Sequence, residues 1–297
     1  MLTCRIKSCI HPIYFEKTFV GKDKVAITPF KVESGGLQDV IIKANPVSTD
    51  DIHFTTESGV ALLFEYPSKN KLNTMQSDSP KAFDELIQHT KDIMDQFEVS
   101  LKPQNLHDEK LGPAARIDFQ SFINYILIQE VTKNIDGFRR SVYLTLKDGK
   151  IFAGPVWDFN LALGNLWWYG QNHPEGWQQN RDDYDDNLDG NHEIWWYVRL
   201  LKNKVFRDSL IKTYKNLRKD GQAFATAEMF KDIDSNVNQI GRAQLRQYSK
   251  WNLLGSPLMT FWFTPPSWPM KYSGEIAKLK EWIEKRMAWL DREIDCI

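Results

Sequence analysis

Cysteine, net charge and long apolar runs are all scarce in this sequence, and each shortage excludes a class of protein. Its three cysteines, Cys4, Cys9 and Cys296, form no CxxC or Cys/His metal-binding pattern, and their odd number leaves room for at most one disulfide bridge. The formal net charge of -1 argues against a dedicated nucleic-acid binder, which would carry a basic excess. We therefore expect no nucleic-acid partner.

No apolar run reaches the roughly 18 residues that a membrane-spanning helix needs, so we expect no membrane span. The first residues, MLTCRIKSCIHP, lack the apolar core of a secretory signal, which by itself predicts a cytoplasmic location. The chain is long enough, at 297 residues, for two domains or lobes. It is also rich in aromatic residues, with 11 Trp and 17 Phe.

The front of the chain has the pattern of β-structure. The segments YFEKTFV, KVAITPFKV, DVIIKA and GVALLFEY alternate or are apolar-rich, and the SGG at 34–36 is typical of a turn. Residues 67–80 have the composition of a polar connection. The sequence therefore predicts a β-rich N-terminal part over residues 1–75.

The rest of the chain, residues 76–297, is predicted to be mainly helical. Helices are expected to begin at Ser79-Pro80 and at Asp118, because Ser and Asp cap helices and Pro favours the first turn. Between the second helix and the later ones, SVYLTL and KIFAGPVW flank the turn 147–149 as a β-hairpin. The later helices are expected over roughly 193–219, 226–250 and from Ser273 onward. The predicted fold is α+β, with a β-rich front and a helical back in which one hairpin is embedded.

The stretch GPVWDFNLALGN, residues 154–165, looks like a buried strand that ends in a charge at Asp158. An unpaired buried charge is costly, so this carboxylate is expected to cap a turn, to pair with a cation or to hold a metal.

Two acids flank the predicted hairpin in the order that metal-dependent phosphoryl transfer requires. Protein kinases place a base Asp in a catalytic loop, an Asn metal ligand shortly after it, and a metal-binding Asp beyond the following hairpin. Here Asp136 follows a helix, Ser141 stands where the kinase Asn would be, and Asp158 follows the hairpin. The alternative is that Asp136 caps a turn and Asp158 pairs with an arginine. Their joint placement favours a site.

The residues around these acids resemble the spore-coat protein H (CotH) kinase family of atypical kinases. The resemblance rests on IDFQSFINYILIQEVTKNIDGFRRSVYLTLKDGKIFAGPVWDFNLALGN and extends to YFEKTFVGKDKVAI, SGGLQDVIIKA, WWYVRLLKNKVFRDSL and EWIEKRMAWLDREI. It implies an atypical protein-kinase-like fold, ATP with Mg²⁺ or Mn²⁺, and phosphorylation of Ser or Thr in a protein substrate of spore-coat or cell-surface type. Asp136 would then be catalytic, and Asp158 would bind the metal, with Asn160 and Ser141 as further ligands.

The sequence departs from the family pattern at three places. Asn160 stands where members often carry a second acid, and Ser141 replaces the Asn of the general kinase pattern. The β-rich front is also shorter than in family members. An upstream stretch would carry the missing strands and any signal sequence, so an extracytoplasmic or spore-coat location stays open beside the cytoplasmic one.

Lysines of the front segments are candidates for binding the ATP phosphates. We predict Lys17 as the phosphate-facing lysine, with Lys43 as its competitor. Arg139 and Arg140, next to Asp136, are expected to neutralise phosphate, to be solvated or to pair with nearby acids.

Aromatic residues follow the predicted metal motif. Trp167, Trp168 and Trp177 are expected either to stack on a glycan or grip a protein partner, or to pack beneath their loop. Trp195, Trp196 and Trp282 are expected in the core, because their helical spacing matches apolar neighbours.

The acidic loop contains the first half of a calcium-binding pattern. Asp185, Asn187 and Asp189 alternate before Gly190, but Trp196 occupies the position of the bidentate Glu. We therefore favour a solvated acidic loop over a calcium site.

These patterns support two functions of different classes. The first is an atypical kinase that transfers phosphate from ATP to a protein hydroxyl. The second is a catalytically inactive pseudokinase whose aromatic loop binds protein or glycan.

Overall fold

The computed structural model of the chain describes residues 39–166, 170–179, 194–251, 254 and 271–297. Its strands are β1 (Val40–Ala44), β2 (His53–Thr55), β3 (Ala61–Tyr66), β4 (Val142–Lys147) and β5 (Lys150–Ala153). In this part of the chain they form one antiparallel sheet in the order β2-β3-β1-β4-β5. The predictions of strands at DVIIKA and GVALLFEY are confirmed by β1 and β3, whereas YFEKTFV and KVAITPFKV lie outside the described residues.

The central strand β1 shows why this segment forms a sheet. Its sequence VIIKA alternates between buried and half-buried side chains, as expected for a strand with one face toward the core. Ile42 is fully buried, while Lys43 lies on the opposite face, directly across from Tyr143 of β4.

The predicted hairpin is confirmed, with one correction to its place in the fold. Lys147 pairs with Lys150 across Asp148 and Gly149, which both have positive φ (51° and 72°), as a two-residue type I′ turn requires. However, β4 also pairs with β1 along five residues. The hairpin therefore extends the front sheet, and the prediction that it is embedded in the helical part is wrong.

Eight α-helices are present in the described residues. They are α1 (Lys69–Asp78), α2 (Pro80–Ser100), α3 (Phe119–Thr132), α4 (Trp196–Leu200), α5 (Lys204–Leu217), α6 (Thr226–Ile240), α7 (Ala243–Lys250) and α8 (Tyr272–Glu293). Short 3-10 turns lie at Pro113–Ala115 and Ile294–Cys296. None of these helices combines the length and the apolar character needed to cross a bilayer.

The predicted helix starts are confirmed at both positions. Pro80 opens α2, although the Ser79 side chain makes no capping hydrogen bond. Asp118 caps α3, because its Oδ1 accepts a 2.7 Å hydrogen bond from the backbone N–H of Ser121.

Other helix boundaries differ from the prediction. α1 occupies part of the stretch that was expected to be a polar connection. The segment expected over 193–219 is two helices, because Asn203 caps α5 by accepting a hydrogen bond from the backbone N–H of Phe206. The segment expected over 226–250 is interrupted at Gly241, whose φ is 49°.

The described chain divides into two compact units. One contains residues 39–125 and 140–157, and the other contains 126–139 together with the described residues from 158 onward. The predicted boundary between residues 75 and 76 does not coincide with this division, since α1, α2 and the hairpin group with the sheet.

The core of the second unit is built largely from aromatic and long aliphatic side chains. Trp196 is fully buried and Trp282 nearly so, as predicted from their helical spacing, whereas Trp195, also predicted in the core, is only half-buried. α8 turns one face to this core, and each fully buried side chain of this size contributes about 1.5–3 kcal/mol. The buried positions of the α8 segment include Ile283, Met287, Leu290 and Ile294.

Candidate active site

The end of α3 organises the predicted site. α3 stops at Thr132, and Lys133 adopts the left-handed conformation (φ 47°) that commonly closes a helix. The next N–H, that of Asn134, still reaches back to the carbonyl of Gln129 at 3.1 Å. The buried chain thus leaves the helix in a fixed direction and reaches Asp136 three residues after Lys133.

Asp136 lies in a partly buried, polar environment. Its carboxylate is 16% exposed and pairs with the guanidinium of Arg139 at 3.3 Å. Its backbone N–H donates to the Asn134 side-chain oxygen at 3.3 Å. Pairing with a nearby acid was one of the alternatives for Arg139, and the structure shows that pairing.

Asp158 is exposed, which corrects the expectation of a buried charge. β5 ends at Ala153, so the acid stands in the irregular segment after the strand and has a positive φ of 57°. Its backbone carbonyl accepts a 3.3 Å hydrogen bond from the side-chain amide of Asn134. Within the described residues no arginine or lysine pairs with its carboxylate. Exposure removes the energetic need for a partner but leaves the carboxylate accessible to a metal.

The loop that carries Asp158 and Asn160 is fixed at its far end. The N–H of Leu163 donates to the carbonyl of Thr132 at 2.7 Å, and the Asn165 side-chain amide donates to the carbonyl of Asn160 at 2.7 Å. These bonds attach the loop to the end of α3 and close it on itself.

Gly164 lets this loop approach α8. Its φ is 74°, and a Cβ at this position would lie 2.5 Å from the indole of Trp282. A glycine is therefore required here by both conformation and space.

The segment that follows, residues 170–179, is bound by two buried cations. Lys133 donates through Nζ to the carbonyls of Gly170, His173 and Glu175 at 3.2, 2.7 and 2.5 Å. Arg286 of α8 donates to the carbonyls of Pro174 and Gly176, each at 2.7 Å.

Arg286 also forms a fully buried ion pair with Glu130 of α3. Its Nη2 lies 3.2 Å from the Glu130 carboxylate, and its Nε and Nη2 both donate to the Glu130 carbonyl. The same carboxylate accepts the backbone N–H groups of Gln178 and Gln179. Burial lowers the pKa of Arg286 to about 10, so it stays protonated at neutral pH. Burial also raises the pKa of Glu130, against the opposing attraction of Arg286.

The CotH kinase protein family matches residues 42–290, which is most of the chain. The chain belongs to the CotH kinase family. No curated protein matches it.

Within this CotH kinase chain, Asp136, Asp158 and Asn160 lie in one compact unit. Ser141 lies in the sheet unit, where its φ is 52° and its N–H donates to the Asn45 side chain at 2.7 Å. Its role as a metal ligand stays a prediction.

Of the two lysines predicted to face phosphate, only Lys43 is within the described residues, since Lys17 lies outside them. Lys43 pairs with Glu65 at 2.7 Å and its side chain is 22% exposed. Burial acts to lower its pKa, but the hydrogen bond to Glu65 and the surrounding charges outweigh burial and raise it. The lysine is therefore a fixed cation on the sheet of this CotH-family chain.

Only some of the residues in the predicted aromatic and acidic segments lie within the described part of the chain. Trp177 is half-buried and packs edge-on against Trp289 of α8, with ring centroids 4.9 Å apart. Packing is thus its observed role. Trp167 and Trp168 lie outside the described residues, and so do the acidic-loop residues Asp185, Asn187 and Asp189.

The site contains residues that sequence reasoning missed: Glu130, Lys133, Asn134 and Arg286. Two of them interrupt an apolar pattern: Glu130 lies between Ile128 and Val131 of α3, and Arg286 lies among the buried positions of α8. Lys133 and Asn134 are buried polar residues directly after α3. A charged residue inside a buried stripe was the signal that could have identified the two ion-pair partners.

Proposed function

We propose that this CotH-family chain is an atypical kinase that transfers the γ-phosphoryl group of ATP to a Ser or Thr hydroxyl of a protein. The family resemblance implies acceptors of spore-coat or cell-surface type. The observation that carries the proposal is the side chain of Asn134, which hydrogen-bonds to the backbone of both Asp136 and Asp158. One side chain therefore anchors the two acids on which the kinase interpretation rests.

The oxygen-bearing side chains of the loop at Asp158 are of the kind that bind a divalent cation. Mg²⁺ prefers carboxylate and carbonyl oxygens and keeps several waters, and Asp158 and Asn160 supply such oxygens from exposed positions. The described residues contain no cluster of three or more His, Cys, Asp or Glu that could hold a metal, at this loop or at any other place, so the ion would depend on Asp158, the Asn160 oxygen, water and the ATP phosphates. When bound, Mg²⁺ or Mn²⁺ would neutralise charge on the ATP phosphates.

Asp136 would orient the acceptor hydroxyl and take its proton. The hydroxyl oxygen attacks the γ-phosphorus, the bond from that phosphorus to the β–γ bridging oxygen breaks, and ADP leaves. Arg139 holds the Asp136 carboxylate in place, since the two are paired at 3.3 Å. Lys43, whose ammonium pairs with Glu65, is the described candidate for the phosphate-facing lysine.

Two substitutions separate the proposed roles of the acids. Asp158→Asn should weaken Mg²⁺-dependent ATP binding, because it removes one charge from the metal site while keeping its shape. Asp136→Asn should leave ATP binding intact and lower phosphate transfer by about 100-fold or more, the usual contribution of a general base. ATP binding with and without Mg²⁺ and transfer of labelled phosphate measure both effects.

The matched control is Asp220→Asn, at an exposed acid after α5. It should change neither binding nor transfer. If the protein binds ATP and neither Asp136→Asn nor Asp158→Asn alters binding or transfer, the kinase assignment fails.

The second candidate function is a pseudokinase that binds a protein or glycan. Ser141 and Asn160, which stand in place of an Asn and of an acid, favour it, because they leave less charge for a metal. ATP binding without any transfer to protein would support this alternative.

A further inference from the structure

Lys133 is a buried lysine whose ammonium group donates hydrogen bonds to backbone carbonyls of a distant segment. The residue is 5% exposed. Its Nζ lies within hydrogen-bond distance of the carbonyls of Gly170, His173 and Glu175. An ammonium group has three N–H donors, so one carbonyl is available for each. Burial of this charge is tolerated because the surrounding oxygens replace the water that it loses.

At His173 and Glu175, the segment that Lys133 binds turns its backbone carbonyls inward while the residues are exposed. A second cation, Arg286, binds the carbonyl of Pro174, which lies between His173 and Glu175, and the carbonyl of Gly176, which follows Glu175. The two buried cations therefore fix the backbone of this segment, and His173 and Glu175 are exposed at the surface.

Lys133 also connects this segment to the proposed acceptor site. It lies three residues before Asp136 and directly after Thr132, whose carbonyl holds the loop of Asp158 through Leu163. A displacement of Lys133 would therefore change the position of residues 170–175 relative to Asp136. All of these residues belong to one compact unit.

We propose that Lys133 is a positioning residue that holds residues 170–175 as a preformed edge of the acceptor site, where His173 and Glu175 contact the protein substrate. This inference rests on the proposed kinase function. It predicts that binding of the protein acceptor, rather than binding of ATP, depends on the Lys133 ammonium.

The experiment compares Lys133→Met, Lys133→Arg and a control, Lys212→Met, at an exposed lysine of α5. Lys133→Met should raise the KM for the protein acceptor by about tenfold to a hundredfold, as expected when charge-assisted hydrogen bonds are lost. Its affinity for Mg²⁺-ATP should stay within about twofold of the unmodified protein. Lys133→Arg should recover part of the loss, because a guanidinium also donates several hydrogen bonds. Hydrogen exchange should accelerate across residues 170–176 in Lys133→Met and not in Lys212→Met.

A double variant, His173→Ala with Glu175→Ala, covers the case in which Lys133→Met does not fold. Both side chains are exposed, so their removal should leave the melting temperature unchanged while raising the acceptor KM. If the unmodified protein transfers phosphate and the double variant has the same acceptor KM, the inference is wrong and the kinase proposal stands. If the unmodified protein transfers no phosphate, the kinase proposal and the acceptor role both fall. Hydrogen exchange then still reports whether Lys133 orders the segment.

Discussion

The side-chain amide of Asn134 donates a 3.3 Å hydrogen bond to the backbone carbonyl of Asp158. The oxygen of the same side chain accepts the backbone N–H of Asp136, also at 3.3 Å. Asn134 itself is only 1% exposed. The buried carboxamide therefore uses both its N–H donor and its oxygen acceptor. These two hydrogen bonds connect segments that are 22 positions apart in the sequence.

Replacement of Asn134 should therefore loosen both acids. Asn134→Ala leaves a buried N–H and a carbonyl without this partner, and we expect the free energy of unfolding to fall by about 1–3 kcal/mol. Mg²⁺-dependent ATP binding should weaken in parallel, since the backbone of Asp158 loses its anchor. Denaturant unfolding and ATP titration measure the two effects. Asn216→Ala, at an exposed position of α5, is the control, and equal losses in both variants would contradict the proposed anchoring.

The buried pair between Glu130 and Arg286 should be intolerant of single substitutions. Arg286→Met leaves the Glu130 carboxylate buried without its cation, which we expect to cost about 3–5 kcal/mol of stability. The double variant Glu130→Gln with Arg286→Met should be more stable than Arg286→Met alone, because the Glu130 carboxylate is then no longer buried without Arg286. Arg292→Met, at an exposed arginine of α8, should have little effect. A double variant no more stable than the single one would show that the carbonyl contacts of Arg286 dominate instead.

Two glycines with the same backbone conformation separate strain from crowding. Gly164 and Gly221 both have φ 74°, but only at Gly164 would a Cβ meet another side chain, the indole of Trp282. Alanine in a left-handed conformation costs roughly 1–2 kcal/mol. We expect Gly221→Ala to lower stability by about that amount and Gly164→Ala by clearly more. Thermal unfolding of both variants tests this, and similar losses would indicate that Trp282 moves aside easily.

The acid Asp291 should make the docking of α8 sensitive to low pH. Burial would raise the pKa of its carboxyl, but hydrogen bonds from Arg218 and Tyr214 outweigh burial and lower it below the ordinary 3.8. A lowered pKa means that the stabilisation is complete above 3.8 and is lost as the pH falls through the folded-state pKa. In Asp291→Asn, stability at neutral pH should be lower and its decline in acid should be shallower. Unfolding measured from pH 7 to pH 2 tests this, and parallel curves for the two proteins would contradict the assignment.

Local structure in this protein could be predicted wherever a short pattern was enough. The Asp-Gly turn predicted the hairpin, and Asp118 predicted the start of α3, because both depend on neighbouring residues alone. The motif around Asp136 and Asp158 predicted the family, which the match over residues 42–290 confirms. The roles of Asp136, Asp158, Asn160 and Ser141 stay predictions, and so does that of Lys17, which lies outside the described residues.

The sequence alone determined the family, the α+β class and the order of the main elements, since these follow from periodicity, turn residues and a long motif, but it did not predict β2 or α1. Only the tertiary structure decided that the hairpin pairs with β1, because strand partners are selected by contacts between residues about 100 positions apart. The same holds for Lys133 and Arg286: a charge in a buried stripe reveals that a partner is needed, but carbonyl groups carry no sequence signal. The tertiary structure alone showed that these two cations hold the backbone of residues 170–176.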